Sequence, residues 1–291
     1  MKKLYGTGVA LVTPFDRNGD VDFNGLNKLL KHTATGVDYY VVMGTTGESA
    51  TVTKEEKLAI LDFVKQNNPK KLPIVYGIGG NNTAEIINQI NDTNLKGVSA
   101  LLSVSPYYNK PSQEGIYQHF TMVAAVSPVP VLLYNVPGRT GSNLTAETTL
   151  RLAQHENIIG IKEASGNLEQ CMRIVQNMPK DFMLISGDDL ITVPLMGMGG
   201  VGVISVLANA FPIVFKNMVA AAFKKDFQKA SAETFKLLDI NGPMYEEGNP
   251  TGIKYVLELM DICKRDVRLP VVPPSPSLEK KIKAIYSNMS R

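Results

Sequence analysis

Short apolar runs and helix-length segments alternate along most of this chain, and this alternation limits the possible fold more than any other feature of the sequence. Each apolar run has the length and composition of a buried strand. We predict eight strands, at residues 6–12, 39–43, 73–77, 98–102, 129–134, 158–162, 182–186 and 200–205. Strict alternation of strands and helices indicates a parallel sheet covered by helices.

The number of strand–helix units favours a closed barrel over an open sheet. Eight units within about 220 residues match a (β/α)8 TIM barrel. An open, doubly wound sheet is the alternative, but it usually carries G-x-G-x-x-G after its first strand, and residues 13–15 here are Thr-Pro-Phe. Strand patterns are lacking after residue 225. We therefore predict an α/β fold, with a catalytic (β/α)8 barrel over residues 1–224 and a C-terminal helical region over residues 225–291.

Composition and charge exclude several classes of protein. The net charge is only +3 and no basic run is present, so nucleic acid is not an expected partner. Cys171 and Cys263 lie far apart, which predicts neither a zinc site nor a disulfide framework. No apolar run approaches the roughly 18 residues of a membrane helix, and the N-terminus does not resemble a signal peptide. We expect a cytoplasmic protein without a metal centre or a membrane segment.

The sixth predicted strand ends in a lysine, Lys162, which a Glu-Ala-Ser-Gly loop follows. Burial at a strand end removes water from the ammonium group and favours the neutral amine. A neutral lysine amine can attack a carbonyl carbon and form a Schiff base. The alternative is a structural lysine whose long side chain extends to solvent.

Reactive residue types also follow several other predicted strands. They are Thr45, Thr46, Tyr107, Tyr108, Tyr134, Arg139 and the segment Gly187-Asp188-Asp189 after the seventh strand. The carboxyl ends of barrel strands meet at one rim, where barrel enzymes have their active sites. Hydroxyl groups and an arginine at this rim are suited to binding carboxylates, and a tyrosine can relay protons. Each of these residues also has a structural explanation, as part of a turn, as packing or as a surface charge.

Two further groups of polar residues have expected structural roles. Asp188 and Asp189 could indicate a metal site, but no histidine or third carboxylate stands at a matching spacing. We predict that these two residues cap a helix. His32, His119 and His155 fall within helical patterns, and we expect structural roles for them.

Four motifs, taken in order, resemble the signatures of the pyruvate-dependent class I aldolase and lyase family. They occupy residues 44–48 (Gly-Thr-Thr-Gly-Glu), 105–111 (Ser-Pro-Tyr-Tyr-Asn-Lys-Pro), 134–140 (Tyr-Asn-Val-Pro-Gly-Arg-Thr) and 160–164 (Gly-Ile-Lys-Glu-Ala). The resemblance covers nearly the whole chain. It implies a homotetramer built as a dimer of dimers and no metal or organic cofactor, because the lysine itself supplies the electron sink.

Within this family the motifs are most similar to those of enzymes that condense pyruvate with aspartate-4-semialdehyde, the committed step towards diaminopimelate and lysine. The resemblance implies that Lys162 forms the imine with pyruvate, while Thr46, with its neighbour Thr45, holds the pyruvate carboxylate. It also implies a proton relay of Thr45, Tyr134 and Tyr108, in which Tyr108 comes from the adjacent subunit.

The resemblance extends to the second substrate and to the walls of the pocket. It implies that Arg139 binds the carboxylate of the semialdehyde. Gly187 and the main-chain carbonyl of Ile204 are expected to line the pocket.

Two other functions remain open. A sister aldolase, such as an N-acetylneuraminate lyase or a keto-deoxy sugar acid aldolase, would use the same lysine and tyrosine, although Arg139 argues against it. A barrel that only binds a keto acid is the second alternative, and the presence of Lys162, Tyr134, Thr45 and Tyr108 argues against that.

The resemblance also includes an allosteric lysine site at the dimer interface. The matching residues are Ser49, Ala50, Asn81, Glu85 and Tyr107. Lys54 and Lys57 stand where sensitive bacterial members often have histidines. Because a cationic ligand would be repelled there, we predict weak or absent feedback by lysine.

Overall fold

The structure, a computed structural model, describes residues 4–289 and contains eight parallel strands. The strands are β1 (Gly6–Ala10), β2 (Tyr39–Val42), β3 (Ile74–Gly77), β4 (Ala100–Val104), β5 (Val131–Asn135), β6 (Ile158–Glu163), β7 (Met183–Ser186) and β8 (Gly202–Ser205). The helices are α1 (Phe23–Thr33), α2 (Lys54–Asn67), α3 (Thr83–Asp92), α4 (Gln113–Val126), α5 (Pro137–Thr140), α6 (Ala146–Leu152), α7 (Leu168–Asn177), α8 (Thr192–Gly197), α9 (Pro212–Phe223), α10 (Phe227–Phe235), α11 (Leu238–Asn241), α12 (Thr251–Leu259) and α13 (Pro276–Met289). Short 3₁₀ turns lie at Thr45–Gly47, Leu207–Asn209 and Gly242–Met244.

The strands form a closed barrel in the order in which they occur in the sequence. β1 closes the barrel by pairing with β8, from Gly6 opposite Gly202 to Val9 opposite Ser205. All eight predicted strands are present, and their ends differ from the prediction by at most two residues. The predicted (β/α)8 barrel followed by C-terminal helices is therefore confirmed. The division of the chain between residues 224 and 225 stays a prediction.

Two apolar layers surround the strands. Side chains such as Val41, Leu132 and Ile185 fill the barrel interior, whereas neighbours such as Val42 and Leu133 pack against the helices outside. Parallel strands buried on both faces need apolar residues at successive positions. This requirement explains why the sequence shows continuous apolar runs.

Side-chain caps determine where several helices begin. Asp22 accepts a hydrogen bond from the backbone N–H of Gly25 at the start of α1. Thr53 and Glu56 form a capping box at the start of α2, and Asn167 caps α7. Replacing such a cap by alanine typically costs about 1 kcal/mol of stability.

A β-bulge in β6 determines which of its side chains face the barrel interior. Leu132 of β5 pairs with Gly160, and Ile159 is passed over in the pairing. Because side chains alternate between the two faces of a strand, a shift of one residue exchanges those faces. The shift brings Lys162 opposite Tyr134, on the interior side.

The C-terminal helices pack on one another and on the carboxyl end of the barrel. α12 contacts the 3₁₀ turn that follows β8, and α13 contacts α11 and α12. This arrangement brings the segment around α12 close to the rim where the candidate site lies. Within the described part of the chain, no helix combines the length and the apolar character needed to span a membrane.

Candidate active site at the carboxyl end of the barrel

Lys162 and Tyr134 form the core of the candidate site. Tyr134 near the end of β5 and Lys162 near the end of β6 are paired neighbours. The Nζ atom of Lys162 lies 4.2 Å from the centroid of the Tyr134 ring, where the ring attracts a cation. Only 6% of Lys162 is exposed. The lysine therefore does not extend to solvent, which was the alternative that the sequence left open.

Gly187 leaves room for the stem of Lys162. A Cβ atom at this position would lie 3.0 Å from Cε of Lys162 and 2.6 Å from the Cβ of Ala164. Ile204 of β8 is buried in the interior cluster that also contains Tyr134. The structure thus brings two of the predicted pocket residues to the same end of the barrel interior.

Glu163 anchors the strand end that carries Lys162. Successive side chains of a strand point to opposite faces, so the Glu163 carboxylate lies outside the barrel interior, where it is buried. It accepts hydrogen bonds from Asn135 Nδ2 at 3.0 Å, Gln170 Nε2 at 2.8 Å and the backbone N–H of Ser165 at 2.7 Å. Hydrogen bonds to a carboxylate are stronger than neutral ones. Sequence analysis did not identify this network, although a charged residue directly after a buried apolar run is a signal for one.

Thr45 and Thr46 lie on the 3₁₀ turn that follows β2. Thr46 is buried and Thr45 is half-buried. The hydroxyl oxygen of Thr46 accepts a hydrogen bond from Asn249 Nδ2 at 3.1 Å. The Thr13 hydroxyl donates to the Gly47 carbonyl at 2.7 Å and fixes the same turn. Sequence analysis did not identify Asn249 as a site residue, because nothing near residue 249 resembles a catalytic motif.

A buried ion pair holds the end of this turn. Lys254 Nζ lies 2.6 Å from Glu48 Oε1 and donates to the Asp266 carbonyl at 2.7 Å. The backbone N–H of Arg268 donates to Glu48 Oε2 at 3.0 Å. Lys254 Nζ lies 4.2 Å from the ring centroid of Phe15. Sequence analysis missed this pair because its members are 206 positions apart.

The prediction that Asp188 and Asp189 cap a helix is wrong. α8 begins without a side-chain cap. Asp188 Oδ1 accepts from the Leu190 N–H at 3.0 Å, whereas Asp189 Oδ2 accepts from the Leu207 N–H, also at 3.0 Å. The second bond joins the end of β7 to the turn after β8. Because this bond occupies the Asp189 carboxylate, it competes with capping of α8. Burial raises the pKa of Asp189 to about 6, although its hydrogen bonds and the charge of Lys162 oppose the shift.

Arg139 and Tyr108 lie on exposed segments at the same rim. Arg139 belongs to the short helix α5, and its side chain is exposed. Tyr108 is 88% exposed and adopts a left-handed backbone conformation with φ of 70°, which is uncommon for residues other than glycine. Its N–H contacts the Thr140 carbonyl at 3.4 Å, so the two segments are adjacent. The side chain of Tyr108 is directed to solvent in the single chain.

Only some residues of the predicted allosteric site lie near the exposed segment that carries Tyr108. Asn81 Nδ2 donates to the Tyr107 carbonyl at 3.2 Å. Glu85 is exposed on α3, in the same region as Lys54, which forms an ion pair with Asp92 at 2.7 Å.

Ser49 and Ala50 come after Glu48 at the end of the Thr45–Gly47 turn; Ser49 is half-buried and Ala50 is exposed. Burial lowers the pKa of the nearby Lys57 ammonium.

The histidines have partners expected of structural residues. Nε2 of His32 lies 3.1 Å from the Ala210 carbonyl, and Nδ1 of the buried His119 lies 2.9 Å from the Thr83 hydroxyl. Burial lowers the pKa of His119 to about 4. Among residues 4–289, no three His, Cys, Asp or Glu side chains are arranged to hold a metal ion.

The fold and the site together define a class of protein: a (β/α)8 barrel with a buried lysine at the carboxyl end of its strands, stacked on a tyrosine. Sequence comparison identifies the family within this class. The chain belongs to the dihydrodipicolinate synthetase family, whose model matches residues 3–289.

Relatives of known name agree with this membership. The chain is 51% identical to the 4-hydroxy-tetrahydrodipicolinate synthase of Cytophaga hutchinsonii over 100% of this chain and 98% of the relative. A monomeric dihydrodipicolinate synthase variant has a TM-score of 0.96 at 34% identity, covering 99% of this chain and 97% of its own. The enzyme of Cyanidioschyzon merolae, solved with lysine bound, has a TM-score of 0.95 at 37% identity, covering 99% of both chains.

Proposed function

We propose that this chain is a lyase that condenses pyruvate with L-aspartate-4-semialdehyde to form 4-hydroxy-tetrahydrodipicolinate, in the biosynthesis of diaminopimelate and lysine. The observation that carries the proposal is the buried Lys162, held over Tyr134 at the end of the barrel where such enzymes bind substrates. Identity of 51% over the whole chain to an enzyme of this name supports the choice of substrates.

The chemistry follows from the reactivity of a lysine amine. The amine of Lys162 attacks the carbonyl carbon of pyruvate, and the carbonyl oxygen leaves as water, so an imine forms. The protonated imine takes up the electron pair that remains when the pyruvate methyl group loses a proton. The resulting enamine carbon attacks the aldehyde carbon of the semialdehyde. The amino group of the semialdehyde then displaces the lysine, which closes the ring and frees Lys162.

Thr45 and Thr46 are proposed to bind the pyruvate carboxylate through hydroxyl groups and free backbone N–H groups. Hydrogen bonds to a carboxylate are charge-assisted, and the burial of Thr46 reduces competition from water. Gly187 and the main-chain carbonyl of Ile204 are proposed to line the pocket. The close approach of Gly187 to the stem of Lys162 supports its assignment.

Arg139 is proposed to bind the carboxylate of the semialdehyde. Its exposure and its place directly after β5 suit a residue that meets the second substrate at the rim. The planar guanidinium can bind a carboxylate through two parallel hydrogen bonds. A sister aldolase acting on sugar acids remains the second candidate, and turnover with the semialdehyde compared with sugar aldehydes distinguishes the two. A barrel that only binds keto acids would show no turnover with any of them.

A relay of Tyr134, Thr45 and Tyr108 is proposed to move protons, with Tyr108 contributed by the adjacent subunit of a dimer. The 88% exposure of Tyr108 in a single chain supports this assignment. We further propose a homotetramer built as a dimer of dimers. Since one solved relative is described as a monomeric variant, the assembly of this chain has to be measured directly.

Complementation between two inactive variants tests the shared site. Tyr108→Phe and Lys162→Ala subunits are each expected to be nearly inactive, because one lacks the relay hydroxyl and the other lacks the amine. When they are co-expressed, a mixed dimer contains one site with both groups, so activity should return. If Tyr108 acts within its own chain, no mixture regains activity.

Feedback by lysine is proposed to be weak or absent. A bound lysine would meet the ammonium groups of Lys54 and Lys57, and even a screened contact between like charges costs on the order of 1 kcal/mol. The ion pair with Asp92 reduces the contribution of Lys54, and burial lowers the pKa of Lys57, so the proposal depends on the two lysines together. A lysine titration of the activity tests it, and strong inhibition at sub-millimolar lysine would contradict the proposal.

The proposed location is the cytoplasm. Two buried and unpaired cysteines, Cys171 and Cys263, suit a reducing compartment.

Borohydride trapping tests the central step. The protein is incubated with pyruvate, reduced and analysed by intact mass and peptide mapping. A single reduced adduct on Lys162, absent in Lys162→Ala, is the expected result. No adduct, or an adduct on another lysine, would contradict the proposed function.

A further inference from the structure

We propose that Asn249 is a positioning residue that directs the hydroxyl proton of Thr46 towards the carboxylate of the keto-acid substrate. The inference rests on the proposed function, because it deepens the account of the same site. Asn249 lies in the segment just before α12, far in sequence from the residues of the predicted motifs.

The direction of one hydrogen bond carries the argument. Asn249 Nδ2 donates to Thr46 Oγ1 at 3.1 Å. A threonine hydroxyl has two acceptor lone pairs and a single proton. Because the amide occupies a lone pair, the proton of Thr46 stays available for another acceptor. Thr46 is 3% exposed, so a substrate carboxylate in the pocket faces little competition from water.

The surrounding structure holds the two side chains at this distance. Asn249 precedes α12, and Lys254 within that helix forms the buried ion pair with Glu48. Glu48 follows the turn that carries Thr46 and has a left-handed backbone with φ of 53°. The backbone N–H of Arg268 binds the second carboxylate oxygen of Glu48. Three contacts therefore join the turn to the C-terminal segment, and the one made by Asn249 is at Thr46 itself.

This role predicts a specific kinetic change. The substrate carboxylate stays bound before and after imine formation, so weaker binding affects ground state and transition state alike. Loss of such uniform binding raises KM and leaves kcat nearly unchanged. We expect Asn249→Ala to raise KM for pyruvate about tenfold, with kcat within about twofold, as for the loss of one hydrogen bond to a charged group. KM for the semialdehyde should not change.

Asn249→Asp separates orientation from mere packing. Aspartate has nearly the same shape, but its carboxylate accepts the Thr46 proton and repels the substrate carboxylate. We expect KM for pyruvate to rise about a hundredfold in this variant, more than in Asn249→Ala, because like charges in a shared site repel. A wild-type KM in Asn249→Asp would overturn the proposal, because it would mean that Thr46 donates to residue 249.

A double-mutant cycle with Thr46→Val tests whether Asn249 acts through the hydroxyl. If it does, adding Asn249→Ala to Thr46→Val changes KM for pyruvate by less than about twofold, because coupled residues are not additive. A full tenfold further loss would overturn the proposal. Asn177→Ala, on the exposed surface of α7, is the matched control and should keep the wild-type KM.

The wild-type protein separates failure of this inference from failure of the proposed function. If the wild type neither forms a borohydride-trapped adduct with pyruvate nor turns over both substrates, the proposed function is wrong. If the wild type does both and a folded Asn249→Ala protein has the same KM for pyruvate, the role of Asn249 alone is wrong. Thermal unfolding of each variant identifies any that does not fold, and the near-isosteric Asn249→Asp then provides the decisive comparison.

Discussion

Two lysines of this chain are buried to a similar degree, each beside an aromatic ring, but only one of them has a carboxylate partner. Lys162 is 6% exposed and Lys254 is 0% exposed. Each Nζ atom lies 4.2 Å from the centroid of an aromatic ring, that of Tyr134 for Lys162 and that of Phe15 for Lys254. Lys254 has the Glu48 carboxylate at 2.6 Å, whereas Lys162 forms no ion pair with any residue between positions 4 and 289.

The comparison shows that burial over an aromatic ring does not by itself make a lysine a nucleophile. Burial lowers the pKa of Lys254, and the Glu48 carboxylate opposes that shift. A protonated amine has no lone pair with which to attack a carbonyl, so a carboxylate partner favours the unreactive form. Lys162 has a tyrosine ring and the open end of the barrel beside it. We infer that Lys162 serves chemistry and Lys254 serves stability.

The largest expected effect concerns Lys162. Lys162→Ala should reduce turnover by a factor on the order of 10³ or more, because the proposed nucleophile is lost. The free energy of unfolding should fall much less than for a lysine with a buried ion-pair partner, because Lys162→Ala leaves no buried carboxylate without its partner. Turnover assays and chemical denaturation measure the two quantities. A Lys162→Ala protein that is destabilised but retains nearly wild-type activity would contradict the assignment of Lys162 to chemistry.

The second effect concerns Lys254. Lys254→Met should lower the free energy of unfolding by about 3–5 kcal/mol, because it leaves the Glu48 carboxylate buried without its partner. The double variant Lys254→Met with Glu48→Gln should recover part of this loss. Lys54→Met is the matched control, since the pair of Lys54 with Asp92 is exposed, and it should change stability much less. Equal losses for Lys54→Met and Lys254→Met would contradict the prediction.

Asp189 extends the comparison to a buried acid. Its pKa is about 6, raised by burial from an ordinary value of 3.8, so ionisation of this group opposes folding. The penalty is absent below pH 3.8 and complete above pH 6. Asp189→Asn should therefore gain about 2 kcal/mol relative to wild type as the pH rises from 4 to 7. Denaturation at both pH values measures this gain, and an identical difference at pH 4 and pH 7 would rule it out.

The smallest effect concerns the space around Lys162. Gly187→Ala introduces a Cβ at 2.6 Å from the Cβ of Ala164 and 3.0 Å from Cε of Lys162, so Ala164 and the stem of Lys162 must give way. We expect kcat to fall about tenfold, which corresponds to roughly 1.4 kcal/mol. Gly242→Ala is the control, because a Cβ there meets no atom within 4 Å. Trapping of pyruvate at the wild-type rate in Gly187→Ala would show that the pocket has spare room.

The barrel was predictable from the sequence because the pattern that marks each strand lies within the strand itself. Each strand is buried on both faces, so its apolar run is continuous and its length marks the element. Lys162, Tyr134 and Thr45 could be assigned to one rim because parallel barrel strands all end there. The bulge at Ile159 was not predictable, since it depends on pairing with β5.

The missed contacts are those between residues distant in the sequence. Asp189 was expected to cap a helix, but it binds the Leu207 N–H across two strands. Lys254 lies in an ordinary helical pattern, and only the fold brings it to Glu48. Residue type gives a list of possible partners, and tertiary structure selects among them.

The anchoring of the Thr46 turn by the C-terminal segment has a consequence for the order of synthesis. A ribosome builds the chain from its N-terminus, so all eight strands are made before Asn249, Lys254 and Arg268. Until then Glu48 lacks its partner Lys254, and of the contacts that hold the turn after β2 those from the C-terminal segment are absent. A nascent chain that stops before residue 249 therefore contains all eight strands of the barrel but none of the C-terminal groups that hold the Thr46 turn.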